Sequence, residues 1–220
     1  MTAKHEVMAA LRESGVVAVI RTENPGDLVS VCRALDKGGV KFVEITMTVP
    51  GALDIIHEAV GQLKDTDVCV GAGTVLDAET ARATILAGAA FVVGPSFEAE
   101  MVRVCQTYGV VVMPGAFTPT EIVTAWKSGA DVIKVFPADI AGPGYLKTIK
   151  GPLPQVDLMP TGGVDFETAE AFIKAGAIAV GAGGCLVNKA LMAAKDYAKI
   201  TENAERFTRI VREAKGGKTA

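Results

Sequence analysis

Histidine and cysteine are scarce, aromatics are few, and no long hydrophobic run is present. The two histidines, His5 and His57, are far apart and have no partners at metal-ligand spacing. That argues against a catalytic zinc site of the His-rich kind. The four cysteines, Cys32, Cys69, Cys105 and Cys185, form no CxxC pair, and three of them sit inside apolar runs. This is the pattern of reduced, mostly buried thiols in a cytoplasmic protein. No apolar stretch reaches the length of a bilayer span without Gly, Pro or charge. The opening MTAKHEVMAALRESG is amphipathic and lacks the apolar core of a signal peptide, so a soluble, cytoplasmic protein is expected. A net charge of −3 gives no hint of nucleic acid or of an anionic membrane as a partner.

What the sequence does have is glycine, 24 of them, in a chain of 220 residues that is half hydrophobic. One pattern recurs: a Gly or Gly-Ala, a short Val/Ile-rich run, a turn, then a helical stretch. The runs are Val16–Ile20, Phe42–Ile45, Val68–Val70, Ala90–Val93, Val110–Met113, Val132–Phe136, Val156–Met159 and Ala177–Val180. Short continuous apolar runs are how strands buried on both faces of a parallel sheet read. Their spacing, roughly twenty-odd residues, is one strand plus one crossover helix. Helix starts are expected at Asn24-Pro25, at Thr118-Pro119 with a capping-box Glu121, and at Asp77 and Asp165. Gly38-Gly39, Gly88, Gly109, Gly129 and Gly176 are read as helix ends. Asn188 to Lys215 reads as a final helix, and Lys215-Gly216-Gly217-Lys218 as a frayed tail. Alternating strands and helices predict a parallel α/β fold. Eight units with nothing left over favour a single (β/α)8 barrel across residues 1–220, with an extra N-terminal helix.

Active sites of such barrels lie where the strands end. Two charges are embedded in apolar strands, Glu44 in VEIT and Lys134 in VIKVF. Burying either alone costs several kcal/mol, of the order of 2 or more. Alternation along the strand points Lys134 away from Ile133 and Val135, toward the barrel interior. Burial disfavours the ammonium form of a lysine, and the neutral amine attacks a ketone to form a Schiff base. The iminium then takes up the electrons of a breaking C–C bond, and Glu44 is the carboxylate placed to move the protons. The alternative is a structural ion pair between the two, or a lysine that snorkels outward.

Gly162-Gly163 and Gly183-Gly184 follow the seventh and eighth runs and precede helices, the second helix starting near Cys185. Loops at those positions of a barrel often hold a phosphate on backbone N–H groups. Two ordinary tight turns are the alternative. Arg21, at the end of the first strand, suits a carboxylate or phosphate, or a salt bridge at the rim. Thr74 and Thr161 suit hydrogen bonds to a carboxylate, or simple turns. Pro95 follows the fourth strand and completes the candidate substrate-binding set.

The segments VEITMTVPGA, VGAGTVL, MPGAFTPTE, IKVFPAD, KGPLPQVDLMPTGGV and VGAGG run in order over nearly the whole chain. As a set they resemble the 2-keto-3-deoxy-6-phosphogluconate (KDPG) and 4-hydroxy-2-oxoglutarate aldolase family. The resemblance implies a homotrimer of (β/α)8 barrels that needs no metal or other cofactor. It implies Lys134 as the Schiff-base residue, Glu44 as the proton carrier, Thr74 and Thr161 in the pyruvate site, and Phe136 packed on the substrate. Some members carry an Arg four to five residues after the glutamate. Here that stretch is Met47-Thr48-Val49-Pro50, and Arg21 is the expected substitute. Many members have Ser where this chain has Gly184. The expected reaction yields pyruvate and glyceraldehyde 3-phosphate from KDPG, or pyruvate and glyoxylate from 4-hydroxy-2-oxoglutarate. The galactonate epimer as substrate, a sugar-phosphate epimerase or isomerase, and a non-enzymatic assembly module are the competing readings.

Overall fold

The structure, a computed structural model, describes residues 3–216. A first helix, α1 (Lys4–Ser14), precedes a repeating order of strand then helix. The strands are β1 (Val16–Ile20), β2 (Phe42–Thr46), β3 (Cys69–Gly73), β4 (Phe91–Val93), β5 (Val111–Met113), β6 (Gly115–Ala116), β7 (Ile133–Val135), β8 (Leu158–Pro160) and β9 (Val180–Ala182). The helices between and after them are α2 (Leu28–Lys37), α3 (Ala52–Gln62), α4 (Ala78–Leu86), α5 (Ala99–Thr107), α6 (Pro119–Lys127), α7 (Ala138–Lys150), α8 (Ala169–Lys174), α9 (Lys189–Ala193) and α10 (Tyr197–Ala214).

The strands form a curled α/β arrangement of two parallel sheets. One has six strands in the order β5-β4-β3-β2-β1-β9, the other three in the order β6-β7-β8. The eight expected runs thus appear as nine strands. The fifth is divided at Pro114, which has no N–H to give to a ladder. Its first half pairs with β4 and its second with β7. The eighth strand lies later than expected, at Val180-Gly181-Ala182, in register with Val16-Val17-Ala18. Glycine in an apolar run reads as a turn, but here the bare Gly181 lies against Thr161 of the neighbouring chain segment.

Alternation along the strands splits the core in two. Val16, Ala18, Val43, Ile45, Ile133 and Val135 face the helices. Val17, Phe42, Phe91, Val111, Met113, Val132 and Met159 face inward and form a plug with Val7 and Leu11 of α1. The expected N-terminal helix is therefore a floor. It is pinned by Lys4 to Asp131 at 2.9 Å and by Arg12 to Asp157. One pleat above Phe42 on the same face comes Glu44, and above Val132 comes Lys134.

The helix signals hold in part. Thr118 and Glu121 form the expected capping box, and Asp77 caps α4 through Thr80 N–H. Asn24-Pro25 does not open α2; Gly26, at φ +52°, turns the chain, and Asp27 caps the helix instead. Asp165 accepts N–H bonds from Glu167 and Thr168 in a turn, and α8 itself starts at Ala169. After Gly183-Gly184 the helix begins at Lys189, not near Cys185, with Asn188 as its cap. The final helix is split, because Lys195 takes φ +52° and Asp196 caps a new start. Lys215 is no frayed end: its Nζ donates to Arg12 O at 2.6 Å. Gly217 and Lys218 of the expected tail lie outside the described residues.

Candidate active site

The inward faces of the strands, followed upward from the plug, open into a cavity of about 560 Å³. Its walls contain Arg21, Thr74, Pro95, Lys134, Phe136 and Thr161, together with Gly162, Gly163, Gly183 and Gly184. Every substrate-binding and phosphate-binding residue expected from the sequence is thus brought together. Glu44 lies just behind this wall. Residues of adjacent strands that share one face converge at the strand ends, which is why a scattered set becomes one site.

Lys134 is 5% exposed and Glu44 is fully buried. Lys134 Nζ lies 3.9 Å from Glu44 Oε1 and 5.3 Å from the centre of the Phe136 ring. The backbone holds Lys134 from two sides: its N–H donates to Pro114 O at 2.9 Å, and it pairs in register with Gly115 and Met159. Burial pushes the Glu44 carboxyl above its ordinary range, while the charges of Lys134 and then Arg21 pull it down. Among the described residues, neither oxygen of Glu44 has a hydrogen-bond partner. Buried polar atoms are nearly always bonded, so a carboxyl left open beside an amine is a candidate for exchanging a proton with something that enters.

Thr161 Oγ1 is buried and unpartnered in the same way. Its backbone is fixed, the N–H donating to Val135 O at 3.0 Å and the C=O accepting from Ala138 N–H at 2.9 Å. Thr74 sits at φ +56°, unusual for a β-branched residue. The turn brings its hydroxyl within 3.4 Å of Arg21 Nη2. Arg21 therefore reaches into the cavity, whereas Met47-Thr48-Val49-Pro50 line a separate shallow surface depression. At the far end, Gly162 and Gly163 take φ of +94° and +71°, and a Cβ added at Gly184 would meet open space.

The sequence reading missed Val19, Asp165, Cys185, Asn188 and Lys189, which also line the cavity. Lys189 belongs to α9 and pairs only loosely with Glu23, at 3.4 Å. No local signal marks it, since only the tertiary fold brings it to the same cavity as the glycine loops. Cys185 is not a nucleophile in waiting: burial and the charge of Asp165 push its thiol up to about 11. Asp131 lies at the opposite end, bound to Lys4 and to Val112 N–H. No group of three or more His, Cys, Asp or Glu able to hold a metal occurs among the described residues. Among the described residues no helix is long and apolar enough to cross a membrane.

The family model for KDPG and KHG aldolase matches residues 7–203. The 2-dehydro-3-deoxy-phosphogluconate aldolase of Treponema pallidum is 32% identical over 93% of this chain and 97% of its own. The 2-dehydro-3-deoxy-6-phosphogalactonate aldolase of Escherichia coli is 32% identical over 90% of this chain and 95% of its own. Among solved structures, the KDPG aldolase of Legionella pneumophila, with pyruvate captured as a covalent carbinolamine, superposes with a TM-score of 0.81 at 27% identity. It covers 90% of this chain and 95% of that one.

Proposed function

The chain belongs to the KDPG and KHG aldolase family, a family of lyases, and on that premise we propose that it cleaves 2-keto-3-deoxy-6-phosphogluconate through a Schiff base on Lys134. The observation that carries this reading is the buried Lys134 amine, 3.9 Å from an unpartnered Glu44 carboxyl, in the wall of one cavity. The Lys134 amine adds to the C2 ketone, and loss of water gives the iminium. Glu44 takes the C4 hydroxyl proton, the C3–C4 pair flows into the iminium, and glyceraldehyde 3-phosphate leaves. The enamine at C3 takes the proton back from Glu44, and water releases pyruvate and restores the amine. An open site without its own hydrogen bonds suits a carboxyl that must first accept and then return a proton.

Arg21 and Thr74 hold the pyruvate carboxylate in this reading, with Arg21 standing in for the family Arg absent at Met47–Pro50. Thr161, Pro95 and Phe136 contact the carbon chain. The phosphate lies on Gly162, Gly163, Gly183 and Gly184, with Lys189 over it. 4-Hydroxy-2-oxoglutarate, which gives pyruvate and glyoxylate, is a second substrate of the same site. The galactonate epimer is the alternative main substrate, favoured by the E. coli relative of equal identity. No metal or other cofactor enters the scheme, and a metal-dependent sugar-phosphate epimerase or isomerase is disfavoured because no group of three or more metal-ligating side chains occurs among the described residues.

The fold that goes with this function is a single closed (β/α)8 barrel over residues 1–220. It is supported by the Thr161–Gly181 bridge and the Ile178 N–H to Leu158 O bond between the two sheets. A homotrimer is the assembly the family suggests, and Leu86 and Ile140 are large apolar side chains left exposed on the protomer. Light scattering tests it. Four free cysteines suit the cytoplasm. The deciding experiment is intact mass and peptide mapping after pyruvate and borohydride. A single adduct on Lys134 is expected, and a folded protein without one removes the Schiff base from the scheme.

A further inference from the structure

The Glu44 carboxyl occupies space that an ordinary residue on the next strand would fill. β2 and β3 run parallel, with Glu44 opposite Gly71 and Thr46 opposite Gly73. A methyl group built on Gly73 would stand 1.9 Å from Glu44 Oε1, 2.4 Å from Cδ and 2.5 Å from Cγ. The overlap reaches from the carboxyl down to Cγ, so Glu44 cannot keep its place with Lys134 Nζ at 3.9 Å once a side chain stands there. The backbone does not itself demand glycine there. Gly73 ends a regular β-strand and is not among the glycines of positive φ. What requires glycine is the contact. The same holds one pleat below, where a Cβ at Gly71 would meet the Phe91 ring at 2.5 Å. The strand Cys-Val-Gly-Ala-Gly therefore reads as two seats, one for the plug and one for the site.

We infer that Gly73 is a positioning residue for catalysis: its bare Cα is the seat that fixes the Glu44 carboxyl beside the Lys134 amine. The inference rests on the reading of Glu44 as proton carrier. Gly73 acts through Glu44 and needs no contact with the substrate to do so. A side chain there would displace the carboxyl from the amine while leaving Lys134 free to form its Schiff base.

Four proteins test this: wild type, Gly73→Ala, Glu44→Ala and Glu44→Ala/Gly73→Ala. Each is measured for kcat, KM, pyruvate–borohydride adduct and Tm. Gly73→Ala should lose about 100-fold or more in kcat, the scale of one general acid/base, while the adduct still forms on Lys134. With the carboxyl gone, the same methyl should change kcat by less than about twofold and should not lower Tm, since coupled residues stop being coupled when one is removed. If Gly73→Ala keeps kcat within about twofold of wild type, the inference fails. It also fails if the methyl lowers Tm equally with and without Glu44, which marks a merely structural role. Should Gly73→Ala not fold, the double variant must still fold as stably as Glu44→Ala, or the inference is lost. Wild-type kcat in Glu44→Ala is a different result: it sinks the acid/base reading of Glu44, whatever Gly73 does.

Discussion

Replacing Lys134 with methionine keeps most of the side-chain volume and removes an ammonium 3.9 Å from Glu44 Oε1. At that separation, and at an effective dielectric near 20, the attraction is about 4 kcal/mol. Glu44 already sits above the ordinary carboxylate range because it is buried, and Lys134 is the larger of the two charges that restrain the rise. Without Lys134 the carboxyl keeps its proton to higher pH. A carboxyl whose folded pKa is raised binds more protons when folded than when unfolded. Its contribution to stability is complete below the ordinary glutamate value of 4.5 and is lost as pH rises through the folded value. In Lys134→Met that loss runs over a wider range. The variant should therefore fall behind wild type as pH rises above the ordinary glutamate value of 4.5, by at most about 1.4 kcal/mol per pH unit. The packing of the new methionine adds a constant offset, so the slope is the diagnostic quantity. Urea unfolding across this range measures it, and the same pair in a Glu44→Gln background should show no pH-dependent difference. Parallel curves for wild type and Lys134→Met would refute the electrostatic coupling. Full aldolase activity in Lys134→Met would refute the mechanism.

Glu44→Gln should lower kcat about 10²- to 10⁴-fold, the usual share of a general acid/base, yet still give the pyruvate–borohydride adduct on Lys134; loss of the adduct would mean that Glu44 mainly supports the lysine. Lys189→Ala removes a cation that lines the cavity together with the glycine loops. KM for the phosphorylated substrate should rise about tenfold, the weight of one charge-assisted hydrogen bond, with 4-hydroxy-2-oxoglutarate unaffected; equal changes for both substrates would take the phosphate from that end. Thr118→Ala deletes one half of the α6 capping box. It should cost about 1 kcal/mol and about 2–4 °C in Tm without touching kcat, and calorimetry decides. Treatment with a chelator should leave turnover unchanged if Lys134 alone supplies the electron sink, and loss restored by a divalent ion would return the metal-dependent epimerase to consideration.

Much of this protein is determined by local sequence. The Val/Ile runs place β1 at its observed residues and β2 to within one residue, because a strand buried on both faces has to be apolar throughout, and a charge inside such a run stands out. That is why Glu44 and Lys134 are legible as a pair before any coordinates. Thr118-Pro119 and Asp77 are legible for a similar reason, since a cap needs only residues three apart. Other features depend on partners far away in the chain. Gly71, Gly73 and Gly181 look like turn residues, yet they lie in strands, because Phe91, Glu44 and Thr161 occupy the space a side chain would take. Lys189 and Cys185 reach the cavity only because α9 and the loop before it are folded over the strand ends. Sequence sets which segments are strands and which charges are costly. The tertiary structure decides which bare Cα meets which side chain, because that contact is made between strands and has no period along one.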